Sequence, residues 1–171
     1  MSCIIGISGW SGSGKTQLIT KLIKYYKDNH KLKVCVIKHA HSSFKLDKEG
    51  KDSFRFYDSG ADQVVISSSK QWAIISRVKD EEMTLKELLK YSKKDTDITL
   101  VEGWKFSNIK KIEVYREILK KPLLYKDDNS FIAIATDYKN ISINKSIQTL
   151  NLNNIEEIGV FILNYCKNKN A

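Results

Sequence analysis

Apolar and polar positions alternate along the chain in two distinct rhythms. Cys3-Ile4-Ile5-Gly6-Ile7 is a short unbroken apolar run that stops at a Gly/Ser cluster, the pattern of a strand buried on both faces. Beyond the cluster, Leu18, Ile19, Leu22, Ile23 and Tyr26 recur at helical spacing, with Lys21, Lys24 and Lys27 on the opposite face. Val34-Cys35-Val36-Ile37 predicts a second buried strand. Strand, glycine loop, helix and strand together make a βαβ unit, which requires a parallel sheet and a right-handed crossover. Residues 39–53 then lose periodicity, and a loop of that length without structure of its own is more often functional or mobile than filler. A short helix is expected from about Ser53 to Ser59, stopped by Gly60. Gln63–Ser67 and Gln71–Val78 are rich in Val and Ile around Ser68-Ser69-Lys70, which predicts an antiparallel hairpin. Thr84-x-x-Glu87 opens a helix carrying Leu85, Leu88 and Leu89 with a capping-box pattern. Ile98–Val101, Ile112–Tyr115 and Phe131–Thr136 read as further strands, and Ile155–Tyr165 as an apolar helix capped by Asn153 or Asn154. The expectation is a single α/β domain over residues 1–171, a mainly parallel sheet flanked by helices, with residues 63–78 as an added hairpin.

One motif turns this pattern into chemistry. Gly9-Trp10-Ser11-Gly12-Ser13-Gly14-Lys15-Thr16 matches G-x-x-x-x-G-K-[ST] in full, between the required strand and the required helix. Glycines let the backbone turn its N–H groups inward around an anion, and the helix that follows aims its positive end at the same point. The motif predicts a nucleoside triphosphate site built from residues 9–16 and the adjoining Gln17. Lys15 would reach the β/γ-phosphates, and the Thr16 hydroxyl would ligate Mg²⁺. Such sites need an acid at the end of a buried strand. Glu102, after Ile98-Thr99-Leu100-Val101, is the candidate, the alternative being a plain surface strand end. Asp97, at the start of that strand, is expected at the opposite edge of the sheet. Asp52 and Asp47 are further carboxylates in reach of a metal by sequence, or simply solubilising loop residues.

Composition narrows the partners. The chain has 171 residues with 29 Lys+Arg against 20 Asp+Glu, a net charge of +9. Residues 1–60 hold 11 of those cations and 5 of the anions, so the excess gathers around the phosphate loop, its helix and the loop that follows. Three cations are arginines, and bidentate base readout favours Arg, so neither nucleic acid nor a membrane surface is needed to account for the charge. Apolar runs all stop short of a membrane span, which needs about 18 residues. The opening Met-Ser-Cys-Ile-Ile-Gly has no basic leader, so a cytoplasmic protein is expected. Three cysteines without C-x-x-C spacing fit a reducing compartment, with Cys3 and Cys35 as buried thiols.

The chain resembles the MobB family of molybdopterin-guanine dinucleotide biosynthesis adapters. The residues that carry the resemblance are Gly9–Thr16, Val36-Ile37-Lys38-His39-Ala40-His41, Asp47-x-x-Gly50-Lys51-Asp52-Ser53 and Ser59-Gly60-Ala61. They continue through Val101-Glu102-Gly103-Trp104-Lys105, Lys111-Ile112-Glu113-Val114-Tyr115-Arg116 and Ala133-Ile134-Ala135-Thr136-Asp137. Trp104 stands where the family more often has Phe, and nothing past about residue 140 is matched. The resemblance implies a homodimer built partly from the extra strands, which binds GTP and Mg²⁺ and has weak GTPase activity. It also implies assistance to the guanylyltransferase that attaches GMP to molybdopterin, and leaves open whether molybdopterin itself is contacted.

Several residues stay open at this level. The Asn-Lys-x-Asp guanine signature is absent, and Asp137 at a strand end is the candidate base reader, or a turn cap. Lys38, His39 and His41 are expected to line the nucleotide or pterin side of the cleft, a metal role for His39-x-His41 lacking a third ligand, and Lys51 and Asp47 are further loop or partner candidates. Trp10 packs on a partner or the nucleotide, and Trp72 in the core or a dimer contact. No arginine finger is evident beside the loop, although Arg55 or Arg77 could act across a dimer. Without a finger, turnover near 10⁻⁴ s⁻¹ is expected, to order of magnitude. The alternative reading is a small-molecule kinase using Asp47 or Asp52 as base.

Overall fold

A computed structural model describes residues 2–40, 51–78, 81–92, 94–105, 107–138, 141 and 147–170. The chain forms two compact units, one from Met1–His39 with Leu85–Ala171 and one from Ala40–Thr84.

The larger unit is built on a six-stranded parallel sheet: β1 (Cys3–Ser8), β2 (Val34–Lys38), β5 (Ile98–Glu102), β6 (Lys111–Tyr115), β7 (Phe131–Thr136) and β8 (Gln148–Asn151), in the order β2-β5-β1-β6-β7-β8. The four inner strands are almost wholly buried, as the apolar runs of β1, β5 and β7 demand, whereas β2, expected as a buried strand, lies at an edge with β8 opposite and both are partly exposed. Helix α1 (Lys15–His30) and helix α4 (Ile155–Asn170) lie against the same face. There Leu18, Leu22 and Tyr26 of α1 meet Ile158 and Ile162 of α4 over Ile5, Ile7, Leu100, Ile112 and Leu150. The helical spacing of those residues is therefore a core face, and Lys21, Lys24 and Lys27 opposite them are exposed, as the pattern requires. A smaller cluster of Phe131, Ile134 and Ile147, with Leu123, Leu124 and Tyr125, is built on β7. Asn154 caps α4 by accepting from the Glu157 N–H at 3.1 Å. Because β1 has its partners β5 and β6 on opposite sides, the connections diverge at its carboxyl end, which is where open α/β sheets form their ligand crevice.

Two buried charges in β6 run against its strand pattern. Lys111, with no exposed side-chain surface, donates from Nζ to the Lys105 carbonyl at 2.5 Å, the Ser107 carbonyl at 2.8 Å and Asp128 Oδ2 at 2.6 Å. Glu113 accepts the backbone N–H groups of Leu124 (2.8 Å) and Tyr125 (3.0 Å). Burial raises the Glu113 carboxyl above the usual range, and those two N–H groups oppose the rise. Each charge pins a connecting segment that has no ladder of its own.

Strand β8 was not foreseen: Gln148-Thr149-Leu150-Asn151 buries a single side chain, Leu150, and pairs only with β7. The helix predicted after Thr84 is short, α3 (Leu85–Leu88) followed by a 3₁₀ turn at Leu89–Tyr91. Cys3 is not a free thiol. It forms a disulfide with Cys166, Cα–Cα 5.5 Å, because α4 crosses the start of β1, a contact 163 residues apart in sequence. Cys35 is the free thiol, and it is half-buried.

The smaller unit contains α2 (Asp52–Asp58) and an antiparallel hairpin of β3 (Gln63–Ser67) and β4 (Trp72–Ser76), as predicted. Arg77 donates to the carbonyls of Tyr57 and, at 3.1 Å, Ala61, and its guanidinium stacks on the Tyr57 ring. Trp72 is 64% exposed, so it is not a core residue. Val65 and Phe56, each 61% exposed, leave this unit with little apolar interior.

Candidate nucleotide site

The phosphate loop leaves β1 at Ser8 and enters α1 at Lys15, at the carboxyl edge of the sheet. Two of its glycines cannot be replaced without moving the backbone. A Cβ on Gly9 would lie 2.4 Å from the Val114 carbonyl oxygen and 2.7 Å from Ser13 Oγ. Gly14, the N-cap of α1, sits at φ 94° in the left-handed region. The loop thus hugs the end of β6 and then turns sharply, so that the first N–H groups of α1 have no carbonyl partners ahead of them. Nothing acidic stands in the first turn of α1 to occupy that positive end.

Around this cradle the side chains form one connected set. Lys15 Nζ donates back to the Trp10 carbonyl at 2.9 Å across the loop. Burial lowers the Lys15 ammonium from its ordinary value, Glu102 opposes the shift, and Lys105 and Lys38 add to it. Thr16 Oγ1 donates to Glu102 Oε1 at 2.8 Å, joining the start of α1 to the end of β5. Glu102 is 7% exposed, which removes the reading of it as a surface strand end. Its second oxygen lies 3.5 Å from Lys38 Nζ, delivered by the end of the neighbouring β2. Asp97 is at the other end of β5, where it accepts the Lys33 backbone N–H at 2.7 Å. A hydroxyl and a carboxylate at this separation are oxygen donors of the kind Mg²⁺ takes, and Lys15 with the open helix end is suited to polyphosphate. The residues present fit a magnesium nucleoside triphosphate.

The rim is set by three connecting segments. His39 continues from β2, donates its backbone N–H to the Glu102 carbonyl at 2.9 Å and packs its ring against Trp104, tilted by 58° with centroids 5.0 Å apart. Trp10 donates its indole N–H to the Pro122 carbonyl at 2.8 Å, and the ammonium groups of Lys105 and Lys121 lie 4.5 and 5.7 Å from its ring. The loop tryptophan therefore packs on the chain's own 120–122 segment. Asp137, just past β7, is ion-paired with Arg116 at 2.6 Å.

Sequence reasoning brought together Gly9–Gln17, Lys38, His39 and Glu102, and the structure holds all of them in the larger unit with Asp137. His41 and Asp47 lie outside the described residues. Lys51 and Asp52 are exposed residues of the smaller unit, the N-cap and first residue of α2. Among the described residues no three His, Cys, Asp or Glu side chains gather as a metal site on their own.

An arginine that sequence reasoning missed stands beside the loop, engaged with the chain's own groups: Arg116 Nε donates to the Ser13 carbonyl at 3.1 Å. It follows β6 directly, and β6 is hydrogen-bonded to β1, so its closeness to the loop depends on the sheet order. The sequence signal was present in Lys111–Arg116, but only as a motif without a place.

Comparison with known proteins agrees with this geometry. Residues 4–137 match the family model described as molybdopterin guanine dinucleotide synthesis protein B. The molybdopterin-guanine dinucleotide biosynthesis adapter protein of Haemophilus influenzae is 39% identical over 95% of this chain and 88% of its own. The Escherichia coli adapter protein is 32% identical over 98% of this chain and 95% of its own. A crystal structure of molybdopterin-guanine biosynthesis protein B superposes with a TM-score of 0.73 and 29% identity, covering 96% of this chain and 99% of that one. Bacillus subtilis MobB shares the fold, with a TM-score of 0.71, 22% identity and coverage of 95% and 96%. With the phosphate loop, Glu102 and the strand order all in place, the chain belongs to the MobB family of molybdopterin-guanine dinucleotide synthesis proteins.

Proposed function

We propose that this protein is a GTP-binding adapter that assists the guanylyltransferase attaching GMP to molybdopterin. The observation that carries the reading is the Thr16–Glu102 contact at 2.8 Å beside Lys15, an oxygen pair ready for a cation at the mouth of a phosphate cradle. Mg²⁺, when bound, would neutralise the β/γ-phosphates, held by Thr16 and Glu102. Lys15 would exchange its bond to the Trp10 carbonyl for phosphate oxygens. The backbone N–H groups of residues 12–16 would surround the phosphates, and Lys38 with Lys105 would raise the local positive field. Asp137 would read guanine through its N1–H and 2-amino group.

Hydrolysis on this reading is slow, and binding rather than turnover is the useful output. Arg116 stands beside the loop but is engaged with Ser13 and Asp137, not aimed as a free finger. The family relationship supports the pathway, and the exposed Trp72, Val65 and Phe56 of the hairpin unit support a homodimer formed there. The expected compartment is the cytoplasm, and the described residues include no helix long and apolar enough to cross a membrane.

The test is reconstitution with the purified transferase, GTP and molybdopterin. Added adapter should raise the yield of molybdopterin guanine dinucleotide, and Lys15→Ala should not. GDP release that requires a small-molecule acceptor, with no effect on the transferase, would instead favour a kinase.

A further inference from the structure

Arg116 joins parts of the site that the phosphate-loop motif leaves separate. Its Nε donates to the Ser13 carbonyl at 3.1 Å and its Nη1 to Asp137 Oδ2 at 2.6 Å. A Cβ built on Gly14 would lie 3.5 Å from Nε and 3.6 Å from Nη2, so the guanidinium rests against the bare face of that glycine. Both side chains of the pair are about seven-tenths buried, 29% and 30% exposed, which protects the pair from full solvent screening. Leu119, one turn further on, approaches Gly12 from the same segment. The end of β6 is thus a strap along the phosphate loop, and Asp137 at the end of β7 is its anchor.

We propose that Arg116 is a positioning residue that couples the phosphate loop to the base side of the site through Asp137. The inference rests on the nucleotide-binding reading above and adds to it how the two halves of a nucleotide are sensed together. The guanidinium holds the Ser13 carbonyl away from the cradle, so that the neighbouring N–H groups face inward. It also balances the Asp137 carboxylate, which would otherwise repel phosphate, and fixes one carboxylate oxygen while leaving the other for a base. A planar fork is needed for this, because one nitrogen serves the loop and another the carboxylate.

The experiment is a set of equilibrium titrations with GTP, ATP and inorganic tripolyphosphate. The proteins are wild type, Arg116→Ala, Arg116→Lys, Asp137→Ala and the Arg116→Ala/Asp137→Ala double variant. Thermal unfolding of each verifies the fold, and Arg116→Lys serves where the alanine variant does not fold. Arg116→Ala should weaken tripolyphosphate and GTP by about tenfold, the scale of one lost charge-assisted hydrogen bond. Asp137→Ala should reduce the preference for GTP over ATP while leaving tripolyphosphate within about twofold of wild type. The double variant should bind tripolyphosphate better than Arg116→Ala alone, because the unbalanced carboxylate is gone. Arg116→Lys should behave like the alanine variant, since an ammonium cannot span both acceptors.

Full rescue by lysine would overturn the proposal, as would losses that simply multiply in the double variant. An Arg116→Ala protein that matches wild type on all three ligands would overturn it too. A wild-type protein that binds neither GTP nor tripolyphosphate would refute the nucleotide reading itself, and this inference with it.

Discussion

Replacing Lys111 by methionine tests how the site-bearing loop is held. The methionine keeps the apolar stem but removes an ammonium that serves the Lys105 carbonyl, the Ser107 carbonyl and Asp128. Removing one partner of a fully buried ion pair costs about 3–5 kcal/mol. Asp128 keeps 32% of its side chain exposed and can be rehydrated, which lowers that figure. The two carbonyls lose a donor, at roughly 1–3 kcal/mol for each group that water does not reach. Relief from burying the charge works the other way, and a net loss of about 2–3 kcal/mol is expected. Urea unfolding at pH 7 measures it as a shift in midpoint at unchanged slope. The loss should shrink markedly when Asp128→Asn is already present, since the two share one interaction. Because Lys105 and Ser107 follow Glu102 closely, GTP affinity should also fall. A Lys111→Met protein within about 0.5 kcal/mol of wild type would refute the claim that this ammonium organises the loop.

Other outcomes follow from the same geometry. The Cys3–Cys166 bond closes nearly the whole chain, 163 residues, and chain entropy sets its contribution at up to about 5 kcal/mol. Reductant or Cys166→Ser should therefore lower the melting temperature by about 10 °C or more, read by calorimetry on protein whose oxidation state is verified by mass. Equal melting with and without reductant would count against it. For Asp128, desolvation pushes the carboxyl up, but hydrogen bonds from Lys111 and Ser130 outweigh it and hold the group below its usual range. Its stabilising contribution is complete above the unfolded pKa near pH 4 and is lost as pH falls through the lower folded value. Asp128→Asn should be less stable than wild type at pH 7, with the difference closing below about pH 4. A stability gap that is constant from pH 7 to pH 3 would contradict that assignment.

Much of the fold was legible because unbroken apolar runs mark strands, and β1, β5 and β7 each showed one; β2 showed one too but is a partly exposed edge strand, because such a run fixes the strand and not its place in the sheet. The phosphate loop was legible because its chemistry dictates residue types at fixed spacing. Glu102 was found by the same logic, as an acid closing a buried strand. Strand β8 was not, since one buried leucine in Gln148–Asn151 leaves no period to detect. The disulfide escaped because it depends on where α4 lands, not on the spacing of cysteines. Arg116 and the buried Lys111 were visible only as letters in a motif. Their roles required the sheet order, which puts β6 against the phosphate-loop strand.

The central claim is that Thr16 and Glu102, beside Lys15, hold the metal of a bound guanine nucleotide. Calorimetric titration of GTP with and without Mg²⁺ tests it directly, on wild type and on Thr16→Ala. Wild type should bind GTP at micromolar concentration with Mg²⁺ and much more weakly without it. Thr16→Ala should lose about 10- to 100-fold in the presence of Mg²⁺, the equivalent of one charge-assisted contact, and little in its absence. GTP affinity that ignores both Mg²⁺ and the Thr16 hydroxyl would contradict the account.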